Sequence, residues 1–233
     1  MAKHGKKYTQ AAARVEIEKL YEPLQALTLA RETSYTKFDG TIEVHIRLGV
    51  DPRHAEQQVR DTVQLPHGLG KSVRVIAFTE GEGVRVAQEA GADIIGDDAV
   101  INKIKEGWIE FDAAVATPEM MGKIGKSGLG KVLGPRGLMP NPKAGTVVPA
   151  GDLPRVIKEL KAGRVEFRVD KTANLHVPIG KASFPAENLT ENFTALMEAV
   201  KKAKPPASKG TYLRKITVTS TMGPGIKIDP NIA

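Results

Sequence analysis

The stretch LPHGLGK, from Leu65 to Lys71, is where the texture of the chain changes. One proline and two glycines within seven residues interrupt regular structure. On its N-terminal side, Ile42, Val44, Ile46 and Leu48 alternate with Thr41, Glu43, His45 and Arg47. That is the pattern of a strand with one buried face. On its C-terminal side, SVRVIAF, GADIIG and FDAAVAT read as short hydrophobic strands. Helical stretches at Gly83 to Ala90, Asp98 to Ile104 and PEMMGKIG follow them in turn. Strands alternating with helices argue for a parallel sheet covered by helices. A stretch rich in glycine and proline, GPRGLMPNPKAGTVVPAG, then runs from Gly134 to Gly151, and segments of this kind are usually functional or well packed. A helix at about Leu153 to Lys161 closes this part, and KAGR supplies a second break.

Beyond that second break the alternating style returns. RVEFRVD, the turn KTAN and NLHVPIG predict a hairpin. Glu187 to Lys202 predicts an amphipathic helix with Leu189, Phe193, Leu196, Met197 and Val200 on one stripe, and Thr211 to Thr221 a last strand. Near the N-terminus, Val15, Ile17, Leu20, Leu24 and Leu27 keep helical spacing from about Gln10 to Leu29, with Pro23 as a break. Asp51-Pro52 resembles a helix start, with Ala55, Val59 and Val63 carrying a short helix. The expectation is a discontinuous α+β domain, residues 1–67 plus 161–233, into which an α/β domain, residues 68–160, is inserted.

Composition narrows the chemistry. The 233 residues include no cysteine, so disulfides, thiolate metal sites and cysteine nucleophiles are excluded. His4, His45, His54, His67 and His176 show no metal-ligand spacing. MAKHGKKYTQ lacks the apolar stretch of a signal peptide, and no apolar run is long enough for a membrane span. A cytoplasmic protein without metal or cofactor is the expectation. The net charge of +7 is unevenly spread: residues 161–233 hold 12 basic and 6 acidic side chains, whereas residues 68–160 hold 12 of each. A localised basic excess favours a polyanionic partner, because bound phosphates release condensed counterions.

Catalytic motifs are weak. GKSGLGK, Gly125 to Lys131, fits seven positions of a phosphate-binding loop, but Val132 stands where magnesium coordination needs Ser or Thr. It also follows a helical stretch rather than a strand. Asp97 and Asp98 sit where a helix cap is expected, and capping explains them better than acid–base work. Glu110 and Asp112 flank Phe111 with no third group to tune them. An enzyme that binds nucleotide in the inserted α/β domain is the rival reading, and it has only fold-level analogy behind it.

A nucleic-acid surface has more support. Lys215, Thr217, Thr219 and Thr221 share one face of the last strand, which ends on Met222-Gly223. Lys37 and Phe38 open the first strand, and Asp170, Lys171 and Thr172 enter the hairpin turn. Short polar groups of this kind suit phosphates and 2′-hydroxyls, and Gly223 leaves bare backbone for a sugar edge. The plainer reading is that the threonines serve β-propensity and that Phe38, which shares parity with Ile42, is core. Arg136 and Lys143 in the 134–151 loop are secondary candidates for RNA contact, against simple packing on their own domain.

KFDGTIEVHIRLGVDPR, LPHGLGK, LGPRGLMPNPKAGTV, GKASF and TSTMGP closely resemble the L-one family of large-subunit ribosomal proteins, the family of the mobile stalk, in its bacterial form. The resemblance implies two domains on a double linker, a discontinuous split β-α-β domain carrying an inserted Rossmann-like three-layer α/β domain. It also implies binding of a folded stalk of large-subunit rRNA near the exit tRNA site. Help in releasing deacylated tRNA, and repression of translation from the protein's own operon mRNA leader, follow from the same resemblance. The family's RNA-contacting positions fall on Phe38, Thr41, Glu43, Asp170, Lys171, Thr172, Thr221, Met222 and Gly223. The family pattern has glycine after the Asp-Lys-Thr turn, whereas this chain has Ala173.

Overall fold

The computed structural model describes residues 5–232; His4 lies outside them. In chain order come α1 (Lys6–Ala12), α2 (Pro23–Glu32), β1 (Thr41–Leu48), β2 (Arg60–Gln64), β3 (Val75–Phe78), α3 (Glu82–Glu89), β4 (Ile94–Ile95) and α4 (Asp98–Lys105). β5 (Ala113–Ala116), α5 (Pro118–Lys126), α6 (Gly130–Leu133), α7 (Leu153–Lys161), β6 (Arg164–Arg168), β7 (Asn174–Lys181), α8 (Ala186–Lys202), β8 (Leu213–Ser220) and β9 (Ile226–Ile228) complete the list. The chain divides into two compact units. One runs to Gly70 and resumes at Val165, and the other is Lys71–Arg164.

The discontinuous unit is built on an antiparallel sheet of order β7-β1-β8-β9. Because β7 and β8 both run antiparallel to β1 between them, they are parallel to each other, with α8 crossing from one to the other. This is a split β-α-β arrangement, in line with the fold class expected. Ile42, Val44, Ile46 and Leu48 of β1, Leu175, Val177 and Ile179 of β7, and Ile216 and Val218 of β8 are buried on one face. α2 and α8 close that face, Leu27 of α2 and Leu189, Phe193, Leu196 and Val200 of α8 joining the same core. The alternate residues of every strand are left on the other face, since strand side chains alternate with period two.

The inserted unit has a parallel sheet of order β4-β3-β5. β3 is buried on both sides: Ile76 and Phe78 face a core containing Ile101, Ile104, Met120 and Ile124, while Val75 and Ala77 face Ala87, Val156 and Ile157. α3 and α4 therefore lie on opposite faces, as right-handed crossovers require when the chain reverses direction across the sheet. The 134–151 segment packs on its own unit. Val147 bridges to Ala116 beside β5, with Ala116 N–H on the Thr146 carbonyl (2.9 Å) and Val148 N–H on the Ala116 carbonyl (3.1 Å). Asp97 caps α4 by accepting the Val100 N–H at 2.8 Å. Asp112 is ion-paired with Lys71 and Arg74.

Four sequence expectations are corrected. Residues 13–22 are not helical, and Ile17 and Leu20 are exposed. Tyr21 instead pairs with the edge of β9, donating its N–H to Lys227 and accepting the Asp229 N–H. Glu22 is then extended, as the residue before Pro23 prefers, and Pro23 starts α2. Val63 belongs to a strand and not a helix: after a 3-10 turn at Ala55–Gln57 the chain enters β2, which pairs with β6. β-Branched Val59, Thr62 and Val63 favour that outcome. β6 and β7 consequently form no hairpin ladder, because β6 pairs with β2 and β7 with β1. Lys37 and Phe38 precede β1 in a bend rather than opening the strand, and Phe38 is 61% exposed rather than core.

Candidate nucleic-acid interface

The open face of the four-stranded sheet brings most of the predicted residues together. Its rows follow the strand register. Glu43 lies between Pro178 and Thr219, His45 between His176 and Thr217, and Arg47 between Asn174 and Lys215. From Thr41 to Arg47 the face extends about 20 Å at ~3.3 Å per residue.

At the Thr41 end, the backbone of β1 is tied to the exit of β8. Thr41 N–H donates to Thr221 Oγ1 (2.8 Å), and Thr221 N–H to the Thr41 carbonyl (2.9 Å). Lys181 Nζ donates to Thr41 Oγ1 at 3.0 Å. Met222 then takes a left-handed backbone, φ 64°, with its side chain 69% exposed and its carbonyl held by the Tyr35 hydroxyl at 2.8 Å. A left-handed residue other than glycine costs about 1–2 kcal/mol, and such strain collects at functional sites. Phe38 and Met222 are thus two exposed apolar side chains at one end of a polar face.

Contacts inside the protein engage three residues at this end. The hydroxyls of Thr219 and Thr221 are occupied within the protein, Thr219 on the carbonyls of Ser220 and Gly223 and Thr221 on that of Thr41. Gly223 also closes its own turn: its N–H meets the Ser220 carbonyl at 2.7 Å, and a Cβ there would lie 2.3 Å from Ser220 Oγ, so that side chain would have to move.

At the other end, Asp170 organises the turn before β7. Its Oδ1 accepts the N–H groups of Thr172 (2.8 Å) and Asn174 (2.7 Å), and its Oδ2 accepts the Thr172 hydroxyl (2.7 Å). Burial works against its ionisation, but these donors and His176 outweigh burial and hold the carboxyl down to about 2. Lys171 and Thr172 are exposed at the tip. Ala173 closes the turn at φ 63°, buried, with its carbonyl on the Leu48 N–H at 2.9 Å. Alanine thus adopts a backbone that glycine would adopt freely. Arg47 donates to the Thr172 carbonyl and, at 3.4 Å, to Asn174 Oδ1, so β1 itself braces the turn.

Sequence reasoning passed over His45, Arg47, His176, Asn174 and Arg214. The parity that placed Thr41 and Glu43 on this face also places His45 and Arg47 there, so the signal was present in β1. Arg136 and Lys143 belong to the other unit, where both are exposed. Lys143 N–H caps onto Asn141 Oδ1 at 2.8 Å.

Among known proteins, a family model described as the Ribosomal protein L1p/L10e family matches residues 30–224. The Large ribosomal subunit protein uL1 of Chloroflexus aurantiacus (strain ATCC 29366 / DSM 635 / J-10-fl) is 61% identical over 231 residues, covering 99% of this chain and 97% of that protein. The protein of the same name from Chloroflexus aggregans is 59% identical over 230 residues, covering 98% of this chain and 96% of that protein.

Proposed function

The chain belongs to the ribosomal protein L1p/L10e family, and from that premise we propose that the open sheet face of its discontinuous unit binds a folded stalk of large-subunit rRNA. As a large-subunit ribosomal protein it is ribosome-associated, a structural role in a family that is generally non-enzymatic. The observation that carries the RNA reading is the layout of the face. Phe38 and Met222 stand exposed at one end, and Arg47, Arg214 and Lys215 form no ion pair among the described residues at the other. An exposed aromatic suits an unstacked base, and unpaired cations suit phosphates. Contact with exit-site tRNA, release of deacylated tRNA and repression of the operon's own mRNA leader belong to the same proposal, as does a cytoplasmic location. The test is binding of an rRNA stalk fragment across a salt series with no nucleotide added. Tight binding with a negative slope in log salt supports the reading. No binding at low salt, or binding only with added nucleotide, would overturn it.

A further inference from the structure

Toward the Arg47 end of the face lies a depression of ≈ 520 Å³ lined by His45, Ile46, Arg47, Asn174, Arg214, Lys215 and Thr217. It holds two arginines and a lysine and no carboxylate in its lining. None of those three cations is ion-paired among the described residues. Arg47 is already directed by its bonds to the Thr172 carbonyl and to Asn174, which fix its guanidinium beside Asn174 in the lining. Such an arrangement attracts an anion, and arginine suits phosphate oxygens in particular.

At the rim His45 meets His176 from the neighbouring strand, Nδ1 to Nδ1 at 2.8 Å, with the rings edge to face. A contact of that length contains one proton, donated by one ring and accepted by the other. A second proton would set two N–H donors face to face, an arrangement relieved by an oxyanion that accepts from both. The surrounding charges on every neighbouring element are few. Glu43 Oε2 lies 3.9 Å from His45 Nε2, and Asp170 Oδ2 lies 3.5 Å from His176 Nε2. Arg47 shares β1 with His45, Arg214 and Lys215 are on β8, and Lys227 of β9 pairs with Thr217.

We propose that this depression is a phosphodiester subsite, and that the His45–His176 pair takes up a proton from solvent when an RNA phosphate enters it. The proposal rests on the RNA reading of the same face. In the free protein burial, and then the neighbouring His176, hold His45 below its ordinary value, with Glu43 opposing them. A bound phosphate raises the histidine's proton affinity. The extra binding is then fully present below the free value and is lost as pH rises through the value in the complex.

The experiment uses the full chain and an rRNA stalk fragment at fixed ionic strength. Affinity is measured from pH 5.5 to 8, with calorimetry in buffers of different ionisation enthalpy. Binding should tighten by about fivefold to tenfold towards pH 5.5, within the tenfold per pH unit that one linked proton permits, and calorimetry should show net proton uptake. The His45→Gln/His176→Gln double variant should lose both effects. Arg214→Gln should weaken binding at every pH and reduce the salt slope by about one, while proton uptake persists. RNA binding that is independent of pH and without proton uptake in the unmodified chain would overturn the proposal, a result that requires no variant to fold. A pH dependence that survives in a folded double variant would overturn it as well. If no RNA binds at any pH, it is the reading of the face as an RNA interface that fails.

Discussion

At the residue scale, exposure and backbone angle separate side chains that serve the fold from those free to meet a ligand. Phe38 is 61% exposed and lies outside every core cluster, so Phe38→Ala should leave the melting temperature within error. It should weaken rRNA binding by about 1–3 kcal/mol, the range for a base stacked on an aromatic ring. Anisotropy titration alongside a thermal melt checks both, and an unchanged affinity would remove Phe38 from the interface. Gly223 should behave in the opposite way. Its Cβ would collide with Ser220 Oγ, so Gly223→Ala should destabilise the protein itself by about 1–2 kcal/mol. Adding Ser220→Ala should recover much of that loss, because the closest contact disappears. Ala173 is a third case. Relief of its left-handed backbone by Gly is offset by a looser unfolded chain and a lost buried methyl, so Ala173→Gly should shift stability by less than about 1 kcal/mol. Ala173→Val, β-branched at positive φ, should cost about 2 kcal/mol or more in denaturant unfolding.

At the scale of elements, the turn before β7 is organised by the Asp170 carboxylate, which makes it acid-sensitive. The Asp170 carboxyl sits at about 2 in the folded protein against an ordinary 3.8. Because the folded value is the lower one, its contribution is present above about pH 4 and is lost as pH falls towards 2. Asp170→Asn keeps an acceptor for the two N–H groups but loses the one that takes the Thr172 hydroxyl. It should therefore cost about 1 kcal/mol at neutral pH and flatten the loss of stability between pH 4 and 2, read from urea unfolding at each pH. This turn also shows what the sequence made legible. The alternation of β1 and β8 placed their inner faces correctly, because a strand with one covered face writes its burial into every second residue. The partner of β6 was not legible, since short alternating segments joined by four residues fit a hairpin as well as two separate sheets. Likewise Val15, Ile17 and Leu20 keep a helical spacing, yet Tyr21 finds backbone partners on β9, which local periodicity cannot register. At the candidate site, polarity and parity revealed which residues share the face. The occupation of the Thr219 and Thr221 hydroxyls depends on turn geometry that no residue pattern encodes.

At the scale of the whole molecule, the division of charge and core between the two units leads to a prediction about where affinity resides. The discontinuous unit, counted over its two segments, holds 20 basic and 15 acidic side chains, and the inserted unit 14 and 12. The open face, with Phe38, Met222, Arg47, Arg214 and Lys215, lies wholly in the former, which also has a continuous core of its own. The core clusters of the inserted unit draw on none of the same residues. Replacing Lys71–Arg164 by a short flexible linker between Gly70 and Val165 should therefore leave a cooperatively folding module. Its salt slope should stay within about one of the full chain's, since the phosphate contacts assigned to the face are retained. Most of the binding free energy should stay with it. The larger rRNA fold can still gain from the inserted unit through exposed Arg136 and Lys143, whereas a short mRNA leader mimic that occupies only the sheet face cannot. The module should then discriminate less between the two RNAs than the full chain does, each tenfold of lost preference corresponding to about 1.4 kcal/mol. Competition titrations with both proteins measure this ratio, and one face cannot hold both RNAs at once. Simultaneous binding of the two RNAs to one full-length chain would exclude a shared surface. Equal preference ratios would deny the inserted unit a part in discrimination. A folded module without measurable rRNA affinity would move the interface to Lys71–Arg164.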